Sequence, residues 1–77
     1  MNDSKVDYYY EIEIRDIDAE PEWIRVDSDA GFNVPDSYKT LTRATEIVNE
    51  IVGESEGEYK SEEFRFVRIG ITREVVE

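Results

Sequence analysis

The sequence predicts an α+β fold: a three-stranded antiparallel sheet in strand order 2-1-3, with one helix packed on one face, connected β-β-α-β. Three observations predict it. Residues 6–15 alternate apolar and polar side chains, residues 41–52 repeat apolar side chains at helical spacing, and residues 64–71 return to a β-rich composition. At 77 residues the chain has the size of one small domain, so 1–77 is read as a single unit. Its ends, 1–5 and 72–77, are expected to fray.

In the first segment Val6, Tyr8, Tyr10, Ile12 and Ile14 fall on one face, and Asp7, Tyr9, Glu11, Glu13 and Arg15 on the other. A period of two in a stretch rich in Tyr and Ile marks a half-buried strand. Asp18–Pro21 reads as a turn, with Pro21 limiting further ladder pairing. Trp23–Asp27 is a second short strand, close enough to the first for a hairpin. Ile24 and Val26 face one way, Trp23 and Arg25 the other. Ser28–Asp36, with Gly31 and Pro35, is a loop.

Leu41, Ala44, Ile47, Val48, Ile51 and Val52 make one face of an amphipathic helix. Thr40 is the expected N-cap, with Ser37 or Asp36 as alternatives, and Gly53 the expected C′ residue. Glu54–Glu62 reads as a charged, mobile loop. In Phe64–Ile71 the apolar residues change sides, Phe64 and Phe66 on one face and Val67, Ile69 and Ile71 on the other. Either a bulge lies near Val67 or both faces are covered. Gly70 is a candidate strand breaker, and Thr72–Glu77 a candidate edge extension. After the hairpin the helix must run back along the sheet, which sets the third strand antiparallel beside the first. The helix then covers Tyr8, Tyr10, Ile12 and Ile14 and leaves the second face bare.

Charge narrows the function classes. Twenty acidic residues against nine basic ones give a net charge of −11. Such a chain is repelled by nucleic acid and by anionic lipid, so neither is expected as a direct partner. The surplus suits a basic protein partner, a salt-rich cytoplasm or plain solubility. Six arginines to three lysines fit salt adaptation weakly; eight isoleucines and many glutamates fit it less well. With neither cysteine nor histidine there is no thiolate chemistry, and the commonest general base and zinc ligand are missing together. No long apolar run or leader pattern is present, so the expected location is the cytoplasm.

The helical stretch YKTLTRATEIVNEI and the closing FRFVRIGITREVVE carry a resemblance. From Tyr8 to Glu77 the chain resembles a loose group of tiny phage- and prophage-encoded proteins of β-β-α-β order. The shared motifs are structural, and the group defines no catalytic residues. Some small acidic phage proteins of this size inhibit host defence, CRISPR effectors included, by occupying nucleic-acid-binding surfaces. The resemblance thus implies an anti-CRISPR-like inhibitor whose partner is a basic host protein such as a nucleic-acid-binding effector.

Two candidate surfaces follow. The acidic one comprises Glu11 and Glu13, about 6.7 Å apart along a strand, with Glu46, Glu50, Glu54, Glu56 and Glu58 of the helix and its following loop. A dense, one-signed patch of this kind is what a nucleic-acid mimic needs, and a solvated face is its bland counterpart. The apolar one comprises Tyr9, Trp23, Val67 and Ile69 on the bare sheet face, suited to a partner or a homodimer unless the C-terminal tail folds over it. Asp27–Gly31 imitates a calcium loop but fails as one, because its glycine is one place early and Tyr38 stands where the bidentate Glu belongs. Ser37 and Ser61 have no base to activate them. Asn2-Asp3-Ser4 matches a glycosylation sequon within a cytosolic-looking tail. The expectation is a non-enzymatic binding protein without cofactor or metal. The alternatives are a small homodimeric assembly protein and a salt-adapted domain.

Overall fold

In the computed structural model, the alternating segment becomes one of the two inner strands of the sheet. The structure describes residues 8–70 and 73–76, so the roles given above to Val6, Asp7, Ile71, Thr72 and the two extreme ends lie outside the described residues. The elements are β1 (Tyr9–Arg15), β2 (Trp23–Arg25), α1 (Leu41–Glu54), β3 (Phe64–Ile69) and β4 (Arg73–Val76). Short 3-10 turns lie at Ser28–Ala30 and Ser61–Glu63. The sheet order is β2-β1-β3-β4, antiparallel throughout.

The expected order 2-1-3 is present within this sheet, but there are four strands where three were expected. The tail supplies the fourth. Val75 and Val76 stand opposite Val67 and Phe66, and Glu74 stands opposite Arg68. These pairs extend an apolar row on each face and add one ion pair, enough to hold a four-residue edge strand.

Even-numbered residues of β1 face the helix. Ile12, Val26, Tyr38, Ala44, Ile47, Val48 and Phe64 form the buried cluster, with Tyr10, Ile14 and Phe66 packed against it. Tyr8, expected in that set, is instead exposed: it precedes β1, and its ring lies against the Arg68 guanidinium rather than under α1. The β1–β3 register runs unbroken from Tyr9↔Ile69 to Ile14↔Phe64, so there is no bulge at Val67. Both faces of β3 are covered. β2 is short, and beyond it Tyr38 takes over the edge of β1 by exchanging backbone hydrogen bonds of 2.7 and 2.8 Å with Tyr10.

Thr40 caps α1 as expected, its hydroxyl accepting from the Arg43 N–H at 3.1 Å. The other end differs from expectation. Gly53 lies within the helix, and termination falls to Ser55, whose hydroxyl donates to the Val52 carbonyl at 2.9 Å and accepts from the Tyr59 N–H at 3.0 Å. The left-handed residues that turn the chain are Glu56 and Gly57. A hydroxyl that satisfies the last turn from both sides lets the helix run past a glycine with no need to leave helical geometry.

Tyr38 is 5 % exposed, and its buried hydroxyl has no hydrogen-bond partner among the described residues. Burial raises the phenol pKa, against a smaller opposing effect of Arg43. An unpaired buried hydroxyl costs stability that a phenyl ring does not. Tyr38→Phe is therefore expected to raise stability in urea by about 1 kcal/mol. A loss of similar size would show that the hydroxyl is satisfied after all.

Candidate functional site

The sheet face turned away from α1 carries the odd-numbered residues of β1, so Glu11 and Glu13 point there, opposite the helical glutamates. Register brings arginines onto the same face, because Glu13 stands between Arg25 of β2 and Arg65 of β3. The Glu13 carboxylate accepts from Arg65 Nε at 2.7 Å through one oxygen and from Arg73 through the other. Arg25 reaches Glu11 at 3.4 Å and Asp27 at 2.6 Å, and Arg15 pairs with Glu22. Arg65 also stacks on Trp23, 4.2 Å from the ring centroid.

On the face that carries these ion pairs, water is kept from the middle of the sheet. Val67 is 0 % exposed on a face that no helix covers, and Glu13 is only 5 % exposed. Of the four apolar residues expected to form a bare patch, Val67 is buried, Trp23 and Ile69 are half-buried, and Tyr9 alone is exposed. The tail does contribute, though not by folding over the face: β4 sits beside β3 and delivers Arg73 to Glu13. The aliphatic stems of arginines are apolar enough to serve as a lid for Val67 while their heads stay hydrated.

The network also redistributes charge. It engages Arg15, Arg25, Arg65 and Arg73 with Glu11, Glu13, Glu22 and Asp27, four cations against four carboxylates. Setting these aside leaves four basic and thirteen acidic residues among the described ones, so their surplus of nine lies outside the network. Glu11 and Glu13 are therefore separated from the acidic set assigned to them by sequence, both in position and by neutralisation.

The remaining members stay together. Glu46, Glu50 and Glu54 follow one another at four-residue intervals along α1, about one helical turn each, and Glu56 and Glu58 continue into the turn beyond it. Arg43 pairs with Glu46 at 3.0 Å and approaches Glu50 at 3.8 Å. No described cation lies within ion-pair distance of Glu54, Glu56 or Glu58. Between Glu46 and Glu63 the chain has seven glutamates and one lysine.

Beside this ridge, between α1 and the loop at 31–34, lies a cleft of about 370 Å³. Its apolar lining is Phe32, Val34, Ile47, Ile51 and Tyr59, and Glu50, Glu54 and Glu58 line it as well. The Phe32 and Tyr59 rings are tilted at 5.7 Å between centroids. Sequence reading placed both aromatics in loops and missed the cleft. The available signal was an aromatic on either side of the helix with no strand to occupy.

Asp27 fixes the loop. Its carboxylate accepts from Arg25 Nε and, through the other oxygen, from the Ala30 N–H at 3.1 Å, while Gly31 (φ 94°) turns the chain. The Arg25 hydrogen bond, against the opposing effect of burial, holds the Asp27 carboxyl below its ordinary value. Both carboxylate oxygens of the residue that opens the calcium-like stretch are thus engaged in hydrogen bonds.

Fold and surface together define a small acidic α+β domain with one face closed by a helix and the other by its own ion pairs. Compared with protein-family models, curated proteins and solved structures, the chain matches none.

Two outcomes test this description. Glu13→Gln keeps the shape but leaves two arginines facing no charge, and is expected to cost about 2 kcal/mol in urea unfolding, short of the fully buried case because both arginines reach water. Asp27→Asn keeps the cap and removes the charge. A depressed carboxyl pKa contributes stability that is complete above the unfolded value of about 3.9 and is lost as pH falls through the folded one. The stability difference between wild type and Asp27→Asn should thus be constant near neutrality and shrink below about pH 4. A difference independent of pH would remove the ionic role of Asp27.

Proposed function

We propose that the chain is a non-catalytic binding protein that engages a basic surface of a partner protein through the glutamates of α1 and its C-terminal turn. One observation carries this reading: the ion-pair network of the sheet face takes up four arginines against four carboxylates, so the surplus of negative charge among the described residues lies outside it, with Glu46, Glu50, Glu54, Glu56 and Glu58 as its longest run uninterrupted by a basic residue. Such a field steers a basic partner into encounter and discriminates against acidic ones.

The partner fits the description of a nucleic-acid-binding protein, as the likeness to small phage inhibitors implies. Residues four apart rise about 6 Å along the α-helix axis, against about 3.4 Å of duplex axis per phosphate of one DNA strand. The ridge is sparser than a strand but long enough to occupy several phosphate subsites. The reading puts the chain in the cytoplasm with its partner. Among the described residues no helix is long and apolar enough to cross a membrane. Self-association through the sheet face draws less support, because Val67 is already buried and Arg65 lies on Trp23.

Immobilised core histones offer a basic test surface. Wild type should bind them, and salt or duplex DNA should displace it. Reversing Glu46, Glu50 and Glu54 to Lys should weaken retention by at least about tenfold, whereas the charge-matched reversal of Asp16, Asp18 and Glu20 in the hairpin turn should cost far less. Equal losses from the two sets would mean that diffuse charge, and no particular surface, does the binding.

A further inference from the structure

The cleft between α1 and the 31–34 loop has two properties that belong together. Its lining is apolar and aromatic, with Phe32 and Tyr59 only half-buried. Three glutamates line it too, and no described cation lies within ion-pair distance of Glu54 or Glu58. Its volume of about 370 Å³ is at the lower end of the range for small-ligand pockets and ample for one long side chain.

An apolar stem with a cationic head matches that lining. Between the two candidate side chains the geometry favours arginine. Its planar guanidinium stacks on an aromatic face while its fork of donors meets carboxylates, and it is more weakly hydrated than an ammonium. The molecule already uses this chemistry, since Arg65 covers Trp23 and donates to Glu13.

We infer that this cleft is a docking site for an arginine side chain from a basic segment of a partner protein, with the aliphatic stem against Ile51 and Phe32, the guanidinium against Tyr59, and Glu50, Glu54 and Glu58 as counter-charges. The inference rests on the proposed binding function and names the part of the partner that is read. A purely electrostatic ridge does not distinguish arginine from lysine, but an apolar cleft with an aromatic wall does.

Short oligo-arginine and oligo-lysine peptides of equal length, titrated calorimetrically into the whole protein at low and at roughly 0.3 M salt, test it. The expected result is salt-dependent binding of both peptides, with the arginine peptide about tenfold tighter. Asn33→Lys, on the exposed cleft wall, should abolish the arginine preference. Asn49→Lys, an identical charge change on the exposed side of α1 outside the cleft, should preserve it. Equal affinity for the two peptides, or equal effects of the two substitutions, overturns the cleft site and leaves the acidic-surface reading standing. No salt-dependent binding of either peptide overturns both.

Discussion

The structure depends on one shared carboxylate. Glu13 sits mid-strand on the face without a helix and holds an arginine from β3 and another from β4. A thin α+β domain has one face too many to cover, and among the described residues there is no second helix for it. Here Val67 is fully buried on the face where arginines of β2, β3 and β4 pair with Glu11 and Glu13 of β1. Ion pairs of this kind contribute little net stability once desolvation is counted. Their larger effect is positional. Sliding β1 by one residue against its neighbours would send Glu13 into the apolar face and leave Arg65 and Arg73 without it. The pairs therefore fix register on a strand whose two faces both carry large side chains.

The same clamp shapes the electrostatics. Arginines drawn to the sheet face are unavailable elsewhere, so neutralising one side leaves the other more negative than an even distribution would. A net charge of −11 spread uniformly would mainly serve solubility. Left outside the sheet-face ion pairs, the surplus among the described residues falls largely on α1 and the turns, Glu46–Glu58 and Asp16–Glu20 among them. Segregation rather than total charge is what makes a recognition surface plausible on physical grounds.

Much of the fold was legible in local sequence. The alternation over β1, the helical spacing in α1 and its Thr40 cap are short-range signals, and strand order 2-1-3 follows from connectivity. β4 was weakly legible because two of its four residues are charged, and only the register shows Glu74 opposite Arg68 and Val75 opposite Val67. The helix end was misread because Gly53 looks like a stop until Ser55 is seen to cap the last turn. The acidic row was half legible: helical periodicity set Glu46 and Glu50 one turn apart, while Glu54, read as the start of a loop, is the last residue of α1. The fate of Glu13 was not readable, because its partners lie 52 and 60 residues away in sequence. Pairings across such separations are set by tertiary register, and one sequence does not reveal them.

Asp27 joins the two sides of the molecule. One of its oxygens belongs to the sheet-face network through Arg25, and the other caps the turn that opens the 31–34 loop. That loop must exist because β2 is only three residues long. After so short an edge strand the chain crosses to the helical side, where Phe32 and Val34 pack against the core and Tyr38 returns to the edge of β1. The segment that completes the core therefore also forms one wall of the cleft. A disturbance of the ion pairs around Arg25 would be transmitted to the cleft through the Asp27 carboxylate, because the loop's first turn hangs on that group. In a domain this small, sealing the sheet face without a helix and shaping the cleft are parts of a single arrangement.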